Sequence, residues 1–233
     1  MSARDDMTTT GITSASSALA RNLRLALATC LVLALAGCSI LSDKPKSTST
    51  IFAPEPVVQA DPSWPKVDWQ LVIAPPAAAR VVDSLRIAVR PTPGELQVYR
   101  GAQWARPPSD MLVETVQRAL EDSGRISGVA RQGTGVSADY RLFFEVRRFE
   151  SDYANGAMPS ATIEVSAKLL HVPQQKVAAS KVFLQATPAA STAVADVARA
   201  FEQSLSKIGG EIAGWTLTSG EAYRRTLPTP AKS

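Results

Sequence analysis

The chain has 233 residues, of which 45% are hydrophobic and 20% are charged, and its formal net charge is +4. This composition is ordinary for a globular protein, and so small a positive excess, without a Lys/Arg-rich block, argues against nucleic acid as a partner. The one histidine, His171, and the two cysteines are too few for a zinc cluster or a conventional histidine-based triad, so we predict neither a metal site nor a cofactor.

The first predicted element is an uncharged Leu/Ala-rich segment over residues 25–36, which follows Arg21 and Arg24. Its length of about twelve residues is typical of the apolar region of a signal peptide and too short to span a bilayer. Small residues, Gly37 among them, then precede Cys38, as at the cleavage and acylation site of a bacterial lipoprotein. We therefore predict cleavage between Gly37 and Cys38 and lipidation of Cys38. The alternatives are a secretory signal in which Cys38 is incidental, or a buried apolar helix.

Cleavage would remove residues 1–37, including Cys30, and acylation would block the thiol of Cys38. The mature chain then has no cysteine for a disulfide or a metal. Ser39 follows the lipidated residue, which by resemblance to the known sorting pattern indicates transfer to the outer membrane, with the domain facing the periplasm. Residues 38–66, rich in Ser, Thr, Pro, Lys and Asp, are predicted to be the acylated N-terminus and a flexible tether.

Three β segments are predicted before the first helix. They cover residues 67–73, 85–89 and 98–104. The last is expected to be a short hairpin with Gly101 and Ala102 at its tip. A helix over 110–122 follows, with Ser109 as its N-cap. We take residue 67 as the start of the folded domain.

The centre of the chain is strongly β. Three runs of alternating apolar and polar residues cover 140–148, 162–170 and 176–186. In the first run the apolar residues that share one face are Tyr140, Leu142, Phe144 and Val146. In the third run we predict that Val182, Leu184 and Ala186 are buried together. With a tight turn at 173–175, the pattern predicts an antiparallel sheet with one buried face.

The last element is a long helix over 191–217. Its apolar residues recur every three or four positions and form one seam: Val194, Val197, Phe201, Leu205, Ile208, Ile212 and Trp215. We expect this seam to cover the sheet; a coiled-coil interface with a partner is the alternative. Gly209 and Gly210 indicate a kink or a close approach of the helix to the sheet, and the tail 220–233 is predicted to be mobile. The predicted fold class is α+β, with a mainly antiparallel sheet covered on one face by two helices, over a domain of residues 67–219.

Several local motifs follow the signal segment in a defined order. They are Leu85-Arg86-Ile87-Ala88-Val89, Gln103-Trp104-Ala105-Arg106-Pro107, Tyr140-Arg141-Leu142 and Ile212-Ala213-Gly214-Trp215. In their order and spacing the chain resembles the ABC-type transport auxiliary lipoprotein family, which includes the paraquat-inducible-type accessory lipoproteins. The resemblance covers residues 66–217. One departure is Trp69-Gln70-Leu71, which stands where the family usually shows Tyr-x-Leu.

The resemblance implies a role beside an ABC ATPase, a permease and an MCE-domain substrate-binding protein that carries lipids across the periplasm. The sequence has no Gly-x-x-x-x-Gly-Lys-Ser/Thr loop for nucleotide phosphates and no second apolar segment, so it fits neither the motor nor the channel. It fits a non-catalytic docking component held at the membrane by its lipid. The candidate partner contacts are Phe143, Arg147, Arg148 and Tyr153, and assembly into a homo-oligomer is left open.

Two other classes of function are compatible with the sequence. A periplasmic hydrolase could use a pair of carboxylates for acid–base chemistry. The candidates for such a pair are Asp139, Glu145, Glu150 and Asp152. A structural or assembly lipoprotein of the cell envelope would use the same anchor and tether without a transporter partner. Peptidoglycan binding by the purified domain would favour this last class.

Overall fold

The computed structural model describes residues 49–154 and 156–228, in which two helices pack with one sheet of nine strands. The predicted signal peptide, with its cleavage site at Gly37 and the lipidation site Cys38, lies outside the described residues. The elements in chain order are β1 (Thr50–Phe52), β2 (Gln70–Ile73), β3 (Ala77–Ala78), β4 (Arg86–Arg90), β5 (Gln97–Trp104), α1 (Pro108–Asp122), β6 (Gly128–Arg131), β7 (Tyr140–Asp152), β8 (Ser160–His171), β9 (Lys176–Pro188) and α2 (Val194–Arg224).

The strand β7 is the centre of the sheet. On one side it pairs along its whole length with β8, which pairs in turn with β9, and both pairings are antiparallel. On the other side β2, β3 and β4 take successive positions along β7, all parallel to it. The remaining strands extend this second side, with β6 beside β2, β5 beside β4 and β1 beside β5.

The α+β class is confirmed, but the sheet is mixed rather than mainly antiparallel. Five of its eight strand pairings are parallel, and three are antiparallel. Alternation of apolar residues reports which face of a strand is buried, not the direction of its neighbour. The strands before β7 contribute most of the parallel pairings, because long connections bring the chain back beside β7 in the same direction.

The core lies between the sheet and the helices. α2 packs on β7, β8 and β9, and α1 packs on α2 and β6. At the centre Phe149 and Phe201 stack with ring centroids 4.7 Å apart, and Trp104 meets both rings edge-on. Since these three rings come from β7, α2 and β5, their packing joins three distant parts of the chain. The predicted seam of α2 therefore covers the sheet. Its fully buried residues are Val197, Phe201, Leu205, Ile208 and Ile212.

Glycines in α2 allow close packing against its neighbours. A Cβ atom at Gly209 would lie 2.5 Å from the Cγ2 atom of Thr115 in α1, and one at Gly214 would lie 2.5 Å from the indole nitrogen of Trp64. The sequence predicted a kink or a close approach to the sheet at Gly209 and Gly210. The close approach is instead to α1 and, at Gly210, to Val58 of the N-terminal segment.

The N-terminal boundary differs from the prediction of a flexible tether through residue 66. β1 pairs in parallel with β5, the side chain of Trp64 is buried, and Val58 packs against the core. Residues 49–66 are thus part of the folded domain rather than of a flexible tether. These contacts were not visible in the composition because the segment is polar and proline-rich, with its few apolar side chains far apart.

Two helix termini also differ from the predictions. α2 continues to Arg224, past the predicted end of the domain at 219, and its last turn is held by ion pairs from Arg224 and Arg225 to Glu221. Ser109 is not the N-cap of α1; the helix begins after Pro107. Instead, the backbone N–H and hydroxyl of Ser109 donate to the carboxylate of Asp83 at 3.0 and 2.9 Å. A residue remote in sequence therefore caps the helix.

Two β predictions are corrected by the structure. The predicted hairpin over 98–104 is a single strand, β5, in which Gly101 has a positive φ of 65°. In β9 the side chain of Phe183 is buried, whereas Val182 and Leu184 are exposed. Three consecutive apolar residues allow either face to be the inner one, and burial of the large aromatic side chain removes the most apolar surface from water.

Candidate interaction surface

The outer face of the sheet is the face of β7, β8 and β9 that points away from α2. Side chains alternate between the two faces along a strand. In β7 this alternation buries Leu142, Phe144 and Val146 in the core, as the sequence predicted, and turns Phe143 and Glu145 outward. Polar side chains occupy most outward positions of β7 and β8, so apolar side chains that remain exposed there are candidates for function.

Several apolar side chains are exposed on the outer face, Val177 at the start of β9 among them. Phe143 keeps 37% of its surface exposed, Val182 keeps 50% and Leu184 keeps 60%; we call these three residues the apolar patch. In the strand register, Ser166 of β8 lies opposite Val182, and Glu164 lies opposite Leu184. Val182 and Leu184 are neighbours on β9, and the polar side chains of β8 separate them from Phe143, which lies opposite Lys168. Exposed apolar side chains of this kind are candidates for a surface that another molecule covers.

Arg147 lies at the border of the apolar patch. A β-bulge between Val146 and Arg148 gives it an extra position in β7, and bulges commonly redirect a side chain. Its guanidinium lies 3.2 Å from the carboxylate of Glu145 and 3.8 Å from that of Glu164. Exposed ion pairs of this kind stabilise a fold by about 0–1 kcal/mol. Arg147 can therefore exchange these partners for a ligand carboxylate at little cost.

Arg148 is part of a network of ion pairs that runs along the outer face of the sheet. Its guanidinium lies 2.7 Å from Glu150 and also contacts Asp152, while Arg90 of β4 holds Glu150 through two hydrogen bonds of 2.8 and 2.9 Å. We call these four residues the ion-pair network. Residues at i, i+2 and i+4 of a strand share a face, which explains how β7 supplies three members.

Glu150 is the centre of the ion-pair network, with only 2% of its side chain exposed. Burial opposes its ionisation, but the hydrogen bonds from Arg90 and Arg148 outweigh burial and hold the pKa of Glu150 below its usual value. For Asp152 burial likewise acts against ionisation, while hydrogen bonds from the backbone N–H of Ala154 and from Arg148 lower its pKa. Both carboxylates are therefore ionised and neutralised in place, which suits a structural role.

The four predicted contact residues separate into three groups. Phe143 and Arg147 lie together on the outer face. Arg148 belongs to the ion-pair network. Tyr153 follows the end of β7, half-buried, with its backbone N–H bonded to the carbonyl of Arg90. Ten residues at roughly 3.3 Å each put Tyr153 about 33 Å along the strand from Phe143. A single small partner does not reach both.

Sequence reasoning missed Val182 and Leu184 as candidates because it predicted them to be buried. The residue that could have identified them is Phe183, because its aromatic ring gains more from burial in the core than either neighbour does. Lys181 also shares the inner side of β9, where its ammonium lies 4.7 Å from the centre of the Phe183 ring. The outer face of the edge strand β9 is thus more apolar than the prediction allowed.

His171 is buried between the rings of Tyr140 and Tyr223, at centroid distances of 5.2 and 5.4 Å. Tyr140 donates a hydrogen bond to the carbonyl of Gly220 at 2.9 Å, and burial raises the pKa of Tyr140 to about 12. Within residues 49–154 and 156–228, no group of three or more His, Cys, Asp or Glu side chains is arranged to hold a metal ion. Neither α1 nor α2, the helices of that part, combines the length and apolarity needed to cross a bilayer.

Comparison with known families identifies one match. The sequence model of a family described as the ABC-type transport auxiliary lipoprotein component matches residues 49–213. The match begins at the first described residue, and it spans most of the described chain. No curated protein matches the chain.

Three solved structures illustrate the range of similarity. A crystal structure of a Xanthomonas campestris protein of the DUF330 family has 54% identity and a TM-score of 0.74, covering 76% of this chain and all of its own. An uncharacterized protein with 15% identity and a TM-score of 0.55, covering 71% of this chain and 97% of its own, shares the fold alone. A PelC dodecamer from Paraburkholderia phytofirmans, at 14% identity, covers 64% of this chain and 91% of its own with a TM-score of 0.39, too low to carry an argument.

Proposed function

The chain belongs to the ABC-type transport auxiliary lipoprotein family, and on that premise we propose that it is a non-catalytic docking component of an ABC-type intermembrane transport system. Its partner is an MCE-domain substrate-binding protein that works with a permease and an ATPase. The cargo is a lipid or another hydrophobic solute. The lipid on Cys38 holds the protein in the outer membrane, with the folded domain in the periplasm.

The observation that carries this proposal is the apolar patch on the outer face. Phe143, Val182 and Leu184 remain exposed although α2 covers the opposite face of the same strands. Exposed Arg147 and its two acidic neighbours border the patch. Exposed apolar side chains interspersed with polar and charged ones are common in protein–protein contacts, and they support docking rather than catalysis.

The carboxylates that a hydrolase would need are all occupied. These residues are Asp139, Glu145, Glu150 and Asp152. Asp139 accepts a hydrogen bond of 2.8 Å from the backbone N–H of Gln70, and the other three are paired with arginines. A general acid needs a raised pKa and a general base needs an unoccupied carboxylate, whereas the pKa values of Glu150 and Asp152 are lowered. This supports a non-catalytic role.

The start of the fold bounds how far the domain can lie from its anchor. Thr50 begins β1, twelve positions after Cys38. Fully extended at roughly 3.3 Å per residue, that length of chain spans about 40 Å. A lipid on Cys38 therefore keeps β1 within about 40 Å of the membrane surface, so a docking partner has to bring its own tip close to the bilayer.

A crosslinking pull-down from cell envelopes tests the proposal with the full chain. Wild type should capture an MCE-domain protein, and Val182→Asp should lose most of this capture because it puts a charge in the apolar patch. Val81→Asp is the matched control, since Val81 is 55% exposed and lies outside the patch. Cys38→Ala should leave the membrane fraction. Capture of unrelated proteins only, or equal capture by the two aspartate variants, would contradict the proposal.

A structural or assembly lipoprotein of the envelope is the second function that the anchor and the folded domain support. It differs in its expected ligand, because the purified protein would bind peptidoglycan and no transporter component. The same pull-down separates the two functions when the captured material is probed for peptidoglycan fragments alongside proteins.

A further inference from the structure

A cavity of about 570 Å³ lies at the edge of the sheet where β2, β6 and the start of β7 meet. The connection between β6 and β7 forms much of its wall. The lining consists of residues 132–138 together with Val72, Arg131, Arg141 and Val172. Its volume is within the range of about 300–1,000 Å³ that is typical of small-molecule sites. We call it the Arg141 cavity.

Arg141 carries an uncompensated charge in this wall. The residue is only partly exposed, and its Nε atom is shielded from solvent without a hydrogen-bond partner. In the part of the chain that the structure describes, its guanidinium forms neither a hydrogen bond nor an ion pair. By contrast, Arg147 and Arg148, on the same strand, are both paired. A partly buried cation without a counter-ion is unfavourable, so an unpaired arginine beside a cavity points to an anionic ligand.

The rest of the lining supplies backbone donors and no acidic side chain. Arg131 also lines the cavity, but its register with Ile73 places its side chain on the α1 side of the sheet, where its Nε donates to the amide oxygen of Gln117 at 2.9 Å. The loop itself is largely exposed, and the backbone N–H groups of residues 135–138 have no acceptor among the described residues. The lining itself holds no Asp or Glu; the carboxylate of Asp139, next in sequence, accepts the backbone N–H of Gln70. One guanidinium and exposed backbone N–H groups, in a lining without a carboxylate, suit an anion with several acceptor atoms.

We propose that the Arg141 cavity binds a phosphate-bearing anion. A phosphate offers several acceptor oxygens in different directions, which matches the guanidinium of Arg141 together with backbone N–H groups of the neighbouring loop. The volume leaves room for a substituent of the size of glycerol. The source is either a soluble phosphate ester or the headgroup of an anionic phospholipid. This inference goes beyond the docking role and does not depend on it, because it concerns a different set of residues.

Isothermal titration of the full-length chain in detergent tests the site. The probes are inorganic phosphate, glycerophosphate, short-chain phosphatidylglycerol and short-chain phosphatidylcholine. Wild type should bind at least one of the first three. Arg141→Gln should weaken that binding about tenfold or more, which corresponds to ~1.4 kcal/mol. Arg86→Gln is the matched control, since Arg86 is an exposed strand arginine away from the cavity, and it should bind as wild type does.

The arms of the experiment separate the sources of the anion. Binding of phosphatidylglycerol alone assigns the site to a lipid headgroup, and binding of phosphate and glycerophosphate assigns it to soluble esters; either outcome supports the proposal. Failure of wild type to bind all of the first three probes would overturn it, as would equal binding by Arg141→Gln and Arg86→Gln. If circular dichroism shows Arg141→Gln to be unfolded, Ser137→Asp decides, because a carboxylate in the wall should abolish binding; unchanged binding would then overturn the proposal.

Discussion

On the inner side of the sheet, the rings of Trp104, Phe149 and Phe201 pack against one another under α2, whereas on the outer side Val182 and Leu184 are exposed next to paired charges. Both sets of side chains are apolar, and β7, β8 and β9 supply residues to both faces. The difference is that one face has a cover within the chain and the other has none among the described elements.

The comparison teaches that stability and interaction are assigned to opposite faces of the same strands. Burial of apolar surface, at about 25 cal/mol per Å², is already complete on the inner side. On the outer side that contribution becomes available only when another molecule covers the patch. Substitutions on the two faces should therefore change different measurements, and the following predictions run from the largest expected effect to the smallest.

Phe201→Ala should have the largest effect on stability. It removes a fully buried ring that stacks on Phe149 and meets Trp104 edge-on, and truncation of a buried Phe typically costs about 3–5 kcal/mol. Urea unfolding followed by tryptophan fluorescence would measure the loss. A cost below about 1 kcal/mol would mean that the inner face does not hold the domain together.

Gly214→Ala should be the next most damaging change. Its Cβ would lie 2.5 Å from the indole nitrogen of Trp64, and overpacking of this kind costs about 1–3 kcal/mol, only partly offset by a helix-propensity gain of about 1 kcal/mol. Gly210→Ala is the matched control, because its Cβ would meet a methyl group of Val58 at 3.1 Å. If thermal unfolding shows that the two variants have equal stability, the packing of Trp64 does not require the absence of a side chain at Gly214.

Acid should weaken the outer face through Glu150. Its pKa is lowered from 4.5 in the folded state, so the unfolded chain binds more protons between the two values. The stability that this carboxylate contributes is present above pH 4.5 and is lost as the pH falls through the folded pKa. Glu150→Gln should cost about 1–2 kcal/mol at neutral pH, a value reduced because both arginines are partly exposed.

Unfolding curves measured from neutral pH down into the acid range check this prediction. The variant Glu150→Gln should lose less stability than wild type as the pH falls. Parallel pH profiles would show that the ion-pair network contributes nothing specific to the outer face.

Leu184→Ala should have the smallest effect on stability. Its side chain is 60% exposed, and surface substitutions usually stay within about ±0.5 kcal/mol. Its effect should appear instead in the capture of the docking partner. A stability loss as large as that of Phe201→Ala would show that the patch is covered within the chain, and would remove the contrast between the two faces.

The sequence predicted the inner face of β7 and the seam of α2 well, because polar and apolar residues alternate clearly there. Tyr140, Leu142 and Phe144 have polar or exposed residues between them, so only one face can be buried. In β9 the apolar residues Val182, Phe183 and Leu184 are consecutive, and alternation cannot choose a face. Side-chain size decides instead, since Phe183 gains most from burial.

Other features were beyond the reach of local patterns. β1 is only three residues long and mostly exposed, and its pairing with β5 depends on residues about fifty positions away. The exposure of Phe143 could be predicted, since it interrupts the polar face of its strand. The ion pairs of Arg148 could have been inferred, because Glu150 and Asp152 lie two and four positions later on the same face of the strand. The contribution of Arg90 could not, because it depends on the parallel placement of β4.

The central position of β7 also has a consequence for the order of folding. β7, β8 and β9 are consecutive strands joined by short connections, so their contacts close small loops and can form early. β2 pairs with β7 about seventy residues later in the chain. The entropy cost of closing so long a loop delays this pairing. We therefore expect the three-stranded meander to be the nucleus on which the N-terminal strands assemble, and amide hydrogens of β7 and β8 to gain protection from exchange before those of β2.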